Sequence, residues 1–175
     1  MSSYRALLAA VGEVLHQGLE LLETLSDEDY TAPSSGPFDA SVGEHYRHVL
    51  EHFTTLADSM AFGIVDYDAR ERDRSVERNR SYAIEQTLAI LRRFESLPEC
   101  VLGAQCHVLY QLGYGEVHQL SVSSSVAREI VFAVSHAVHH FALIRVLCAE
   151  HGVMLDDSFG IAPSTLAYRR ATHAA

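Results

Sequence analysis

Six of the eleven histidines in this 175-residue chain fall in two short windows. The first is Glu44-His45-Tyr46-Arg47-His48-Val49-Leu50-Glu51-His52, and the second is Ser135-His136-Ala137-Val138-His139-His140-Phe141. On a helix turning about 100° per residue, His136 and His140 lie roughly 40° apart, one turn above the other. His45, His48 and His52 fall within about 60° of one another. Two helices that each turn imidazoles to one side can hold a transition metal between them. Imidazole suits zinc, nickel, copper and iron, and an i, i+4 pair lets one helix supply two ligands. His139 sits about 60° from His136 and about 100° from His140, off the shared face. In the first window His45, His48 and His52 are each geometrically possible. Three neutral imidazoles leave a position open for water or substrate, which marks a catalytic rather than a structural site.

The second window is embedded among Ile130, Val131, Phe132, Val134, Phe141, Leu143 and Ile144. Imidazoles on the buried face of such a helix need partners, since an unpaired buried polar group costs about 1–3 kcal/mol. Metal coordination supplies them, and a hydrogen-bonded histidine network is the alternative. His16, His107, His118, His151 and His173 stand alone and read as ordinary core or surface residues. His48-Val49-Leu50-Glu51-His52 matches the HxxEH protease pattern, but the second histidine window would then be unexplained. The carboxylate-rich di-iron pattern is absent, because no glutamate stands three residues before His136 or His140.

The elements that must position these residues are mostly helical. Leu7, Leu8, Val11, Val14, Leu15, Leu19 and Leu22 predict a helix over 3–25. Gly12 and Gly18 within it suit close packing. Pro33 to Pro37 punctuate a loop over 27–40. Ser41 and Glu44 form a capping box that opens a second helix running to about Phe62. The charged stretch 66–74 reads as a solvated connection, or as a cover that brings Tyr67, Arg70 or Arg72 over the metal to hold an anion. A third helix over 76–96 has Ile84, Leu88, Leu91 and Phe94 inside, with Pro98 ending it. Residues 100–123 lose helical period and flank Gly113-Tyr114-Gly115, which predicts a hairpin or extended excursion. Ser124 or Ser125 caps a last long helix to about 151, where Gly152 ends it. The tail around Phe159 to Thr165 reads as irregular but packed, with Pro163 barring a helix through it. These elements predict an all-α, four-helix bundle in a single domain over 1–175.

Composition narrows the function. The net charge of −10 argues against nucleic acid as a partner. No apolar run looks long enough for a membrane span, so no membrane is expected. The first 25 residues lack the basic start of a signal peptide, which points to the cytoplasm. Cys100, Cys106 and Cys148 are odd in number and read as reduced thiols.

Ser41-Val42-Gly43-Glu44 followed by His48, together with His136-x-x-His139-His140, resembles the DinB-like superfamily. The resemblance implies four helices, with one histidine from the second and an i, i+4 pair from the last binding a divalent metal. Carried over by position, the ligands are His48, His136 and His140. His45, His52 and His139 are then additional ligands or lie just outside them. Members often continue HHRGQ, where this chain has His140-Phe141-Ala142-Leu143-Ile144. Some relatives are metal-dependent transferases that use low-molecular-weight thiols, and related domains occur in sulfoxide synthases for thiol-histidines. A homodimer is also implied.

The expected chemistry is a divalent metal, zinc or nickel first and iron next, that lowers the pKa of a thiol or water. The reaction would be a transfer or a hydrolysis on a small molecule of the thiol class. Glu44 or Glu51 is a candidate base, although Glu44 has its capping duty. Tyr67, Arg70 and Arg128 are candidates for an anionic substrate, with Arg128 equally suited to pairing with a neighbouring acid. The alternative is a non-catalytic metal-binding or stress-related protein.

Overall fold

A computed structural model describes residues 3–35, 39–115 and 118–173. Its long helices are α1 (Ser3–Thr24), α3 (Val42–Ser59), α5 (Arg80–Glu95) and α7 (Val126–Glu150). Short helices α2 (Asp27–Thr31), α4 (Arg74–Arg78) and α6 (Glu99–Leu102) join them, and α8 (Pro163–His173) follows. The long helices pack in a ring: α3 lies on α7 and α5, and α1 lies on the same two. Val11, Leu15, Leu22, Phe53, Leu56, Phe94, Ile130, Phe141 and Ile144 fill the middle, each almost fully buried. Burying such side chains is worth about 1.5–3 kcal/mol apiece.

The chain is not purely α. Strands β1 (Ile64–Asp66), β2 (Gln105–Leu112) and β3 (His118–Ser125) make a small mixed sheet before the last long helix. β2 and β3 form the antiparallel hairpin expected from the loss of helical period, in register Gln105↔Ser125 to Leu112↔His118. β1 was not expected. It pairs parallel to β2, Val65 opposite Val108, so the charged stretch starts in a strand rather than a loose connection. Three residues are too few to show an alternation in sequence. The sheet buries Val65, Cys106 and Val108 on one side. Val117 lies outside the described residues.

Other boundaries moved for local reasons. The expected loop over 27–40 contains α2, whose N-cap Ser26 accepts from the Asp29 amide at 3.0 Å and which buries Tyr30. Residues 36–38 lie outside the described part. The second helix stops at Ser59, and Phe62 is exposed. The third helix breaks at Asn79, which ends α4 and caps α5 through the Tyr82 amide. Its inner face is Ala83, Thr87, Ile90, Leu91 and Phe94, with Ile84 half-buried and Leu88 exposed. Pro163 begins α8 rather than barring it, as a first-turn proline costs no internal hydrogen bond. Phe159 is buried as expected and stacks on Phe141 at 5.0 Å.

Close helix approach uses Gly18 but not Gly12. A Cβ on Gly18 would lie 2.6 Å from the Tyr46 hydroxyl, while nothing lies near one on Gly12. A Cβ on Gly43 would overlap the Glu77 carbonyl, so glycine there lets α3 meet α4. Gly152, at φ 75°, closes α7 as expected. α7 is long and apolar enough by length and composition to cross a membrane, contrary to the expectation from sequence. In this fold its Ile130, Ala133, Ala137, Phe141 and Ile144 are buried, and it packs on α3 and α1. No described cysteine is paired; Cys106 and Cys148 are buried and Cys100 is exposed.

Candidate metal centre

Both histidine windows lie on helices that pack together. The capping box opens α3: the Ser41 hydroxyl accepts from the Glu44 amide at 3.1 Å, and Glu44 Oε2 accepts from the Ser41 amide at 2.8 Å. Glu44 is therefore committed to the helix start. One turn on, Tyr46 stacks on Phe141 of α7, with ring centroids 6.4 Å apart. That apolar contact sets α3 against α7 and brings the imidazoles beside it face to face. Ser125 caps α7, its hydroxyl accepting from the Arg128 amide at 3.3 Å.

His48, His136 and His140 converge. Each offers a ring nitrogen, and these three nitrogens lie within 4.8 Å of one another. Among the described residues they are the group of this kind that can hold a metal ion. His48 Nε2 is 2.9 Å from His136 Nε2. Burial holds the His48 pKa down at about 2, helped by His52, His140, Arg70 and His136 around it. His140 is held at about 3 and His136 at about 4 for the same leading reason. All three rings are thus neutral near pH 7, with a ring nitrogen of each in one small volume. Metal ligation needs this protonation state, so the donor set fits a divalent transition metal.

His45, His52 and His139 take outer positions. His45 Nδ1 is 3.0 Å from His140 Nδ1. This places it to accept the second N–H of a ligating imidazole, the usual way such a ring is oriented. His52 is buried, and its Nδ1 donates to the His48 carbonyl at 2.9 Å. Its ring lies 4.2 Å from that of His136 and stacks on Tyr67 at 5.2 Å. His139 is exposed and meets only the edge of the cluster, against His140, as its angular offset implied. Of the isolated histidines, His16 bonds the Gly12 carbonyl and His107 is exposed. His151 Nε2 is buried without a partner. The side chain of His173 lies outside the described part.

Tyr67 and Arg70 both reach the cluster. The Tyr67 hydroxyl donates to Glu129 Oε2 at 3.1 Å, and burial raises its pKa. Arg70 donates to His48 Nδ1 at 3.1 Å, to the Tyr67 carbonyl at 2.8 Å and to Glu51 Oε2 at 3.1 Å. Glu51 also takes Arg47 at 2.6 Å. Both its oxygens are engaged, which removes it as the base of a protease-like HxxEH site.

Arg47, Glu77 and Glu129 belong to the surroundings and were not singled out from sequence; Ser124, a candidate cap of α7, bonds Glu129 instead. Arg47 bridges Glu51 and Glu77. Glu129 is almost fully buried and accepts from Ser124 Oγ at 2.5 Å and from Arg128 at 3.1 Å as well as from Tyr67. Arg128 thus pairs with its neighbouring acid. Glu129 stands seven residues before His136, about 20° away around the helix. A carboxylate on that face of an apolar helix was the available signal.

The sequence profile of the DinB superfamily matches residues 12–144. The chain belongs to the DinB superfamily. The matched stretch holds the two clusters around His48 and His136. The crystal structure of the DinB-like protein YjoA from Bacillus subtilis superposes with a TM-score of 0.58, over 86% of this chain and 94% of that one. At 20% identity that likeness shows the fold. The chain is also 31% identical over 111 residues to FK506-binding protein 5 of Rhizopus delemar, covering 63% of this chain. It spans 29% of the length of that relative. The DinB-like chain therefore has a mainly helical fold, a small mixed sheet before its last long helix, and a three-histidine group that can hold a metal ion.

Proposed function

We propose that His48, His136 and His140 bind one divalent metal, zinc or nickel in preference to iron, and that this DinB-like protein is an enzyme acting on a small-molecule thiol. The convergence of three neutral imidazole nitrogens within 4.8 Å carries this reading. Such a metal lowers the pKa of a bound thiol or water and so supplies a nucleophile near neutral pH. The rest is the work of the chain's own residues. His45 orients His140, and His52 braces His136 through ring contact. Phe132 stacks on His136 at 5.6 Å and forms an apolar wall on the α7 side. Tyr67 and Arg70 lie at the edge of the centre, where an anionic part of a substrate would be held. Three protein ligands rather than four favour an enzyme over a storage or sensing protein, because a position is left for the reacting molecule. We further propose a four-helix-bundle homodimer in the cytoplasm, without nucleic-acid or membrane partners. The acidic composition supports the absence of nucleic acid, and the exposed Val131 and Val146 on α7 support the homodimer.

The test is elemental analysis of protein purified without a histidine tag, for the native chain and for His136→Ala. About one equivalent of zinc or nickel in the native chain, lost in the variant, is expected. Full metal occupancy in His136→Ala, or no metal uptake by the folded native chain, overturns the reading.

A further inference from the structure

The two flanking imidazoles of the cluster have opposite outer partners. His140 faces His45, whose Nδ1 lies 3.0 Å from its own and can accept a hydrogen bond. His48 faces Arg70 Nη2 at 3.1 Å, and a guanidinium can only donate. His48 Nδ1 must then accept, so the proton of its neutral ring sits on Nε2. That proton lies between Nε2 of His48 and Nε2 of His136, 2.9 Å apart, which accounts for the short approach. To ligate through Nε2, a neutral His48 must carry its proton on Nδ1 instead. Two donors would then meet, so the Arg70 contact is incompatible with metal ligation by a neutral His48.

The other Arg70 bonds do not share this conflict. Nε is held by Glu51 Oε2 and Nη1 by the Tyr67 carbonyl. Glu51 is itself fixed by Arg47. These groups keep the guanidinium beside the cluster while a single arm, Nη2, loses its acceptor. A desolvated cationic N–H next to a metal centre is suited to a carboxylate.

We propose that Arg70 forms an anion subsite of the metal centre: its Nη2 rests on His48 while the imidazoles are unloaded, and turns to a carboxylate of the substrate when they hold a metal. This rests on the metal-binding reading above and adds the substrate class, a thiol that carries a carboxylate. It also makes metal and anion binding mutually reinforcing, since each removes what opposes the other.

The test uses cobalt(II) as the metal, followed by its absorption, with mercaptoacetate and its neutral counterpart 2-mercaptoethanol as probes. The native chain, Arg70→Met and Arg70→Lys are compared. Cobalt-loaded native protein should bind mercaptoacetate at least about tenfold more tightly than 2-mercaptoethanol, the scale of a charge-assisted hydrogen bond. Both variants should hold cobalt at least as tightly as the native chain and lose the preference. Should Arg70→Met fail to fold, Arg70→Lys decides, because it keeps a charge beside Glu51 without the fork. The inference is overturned if native protein shows no preference, if a folded variant retains it, or if the folded variants bind cobalt at least tenfold more weakly. If the native chain takes up no cobalt, the metal-binding reading itself falls.

Discussion

α7 carries two polar clusters about two turns apart on one face, and they are satisfied in opposite ways. Around Glu129, every interaction pairs a donor with a carboxylate: the Tyr67 hydroxyl, the Ser124 hydroxyl and the Arg128 guanidinium all point at it. Nothing further is needed there. Those bonds tie β3 and Tyr67, the residue after β1, to the start of α7, so the cluster is a fastening. Around His136, neutral rings turn nitrogens toward nitrogens, each ring with one N–H and one lone pair. An external cation completes such a group. Burial alone does not separate a structural polar cluster from a ligand site; the atoms that converge do, a carboxylate among its donors in one and three ring nitrogens in the other. Tyr67 joins the two, with its hydroxyl on Glu129 and its ring on His52.

The contrast is sharpest under metal loading. Zinc at a hundredfold excess over its dissociation constant should stabilise the native chain by about 2.7 kcal/mol. His136→Ala should show none of that gain in thermal or urea unfolding. Glu129→Gln should act on the other cluster, lowering stability by about 1–3 kcal/mol while the protein still takes up metal. Loss of metal with unchanged stability would break the comparison. His45→Ala should fall between them: removal of the group that orients His140 weakens metal affinity by about ten- to a hundredfold, read by calorimetric titration.

Acid should affect the histidine cluster of the metal-free chain. His48, His136 and His140 have folded pKa values of about 2, 4 and 3, all below the ordinary 6.5. Between those limits the unfolded chain binds more protons, so stability is lost as pH falls from 6.5 towards the folded values. Well above 6.5 these groups are neutral in both states and contribute no slope. Urea midpoints measured at about pH 7.5 and pH 5.5 should therefore drop on acidification, and less so in His136→Asn. A flat profile would mean the rings are not held neutral. The smallest effect belongs to His139→Ala. That exposed, off-face ring should leave metal affinity unchanged and alter stability by no more than about 0.5 kcal/mol.

Helical period carried much of this protein into view. Val11, Val14, Leu15 and Leu22 inside α1, the Ser41–Glu44 capping box, the two ends of α7 and the pairing of His136 with His140 all follow from spacing, since a helix fixes which side chains share a face, whereas Leu19 is only half-buried and the buried Leu21 was missed. The off-face position of His139 follows from the same arithmetic. Spacing left His45, His48 and His52 as equals, because one helix cannot say where its neighbour's face lies. It also missed β1, whose three residues gain their structure from β2. The inner face of α5 passes through Ala83, Thr87 and Ile90, a line drawn by where α1 and α3 press on it.

The sequence alone determined which residues can offer nitrogen ligands and that two helices present them, because side-chain chemistry and helical geometry are local. The tertiary structure decided that His48, rather than His45 or His52, completes the three-nitrogen group with the α7 pair, and that Arg70 and Glu129 stand where they do. Those outcomes depend on the rotation and depth at which α3 seats against α7. That seating is set by packed rings such as Tyr46 on Phe141, residues 95 positions apart in the chain that no local pattern connects.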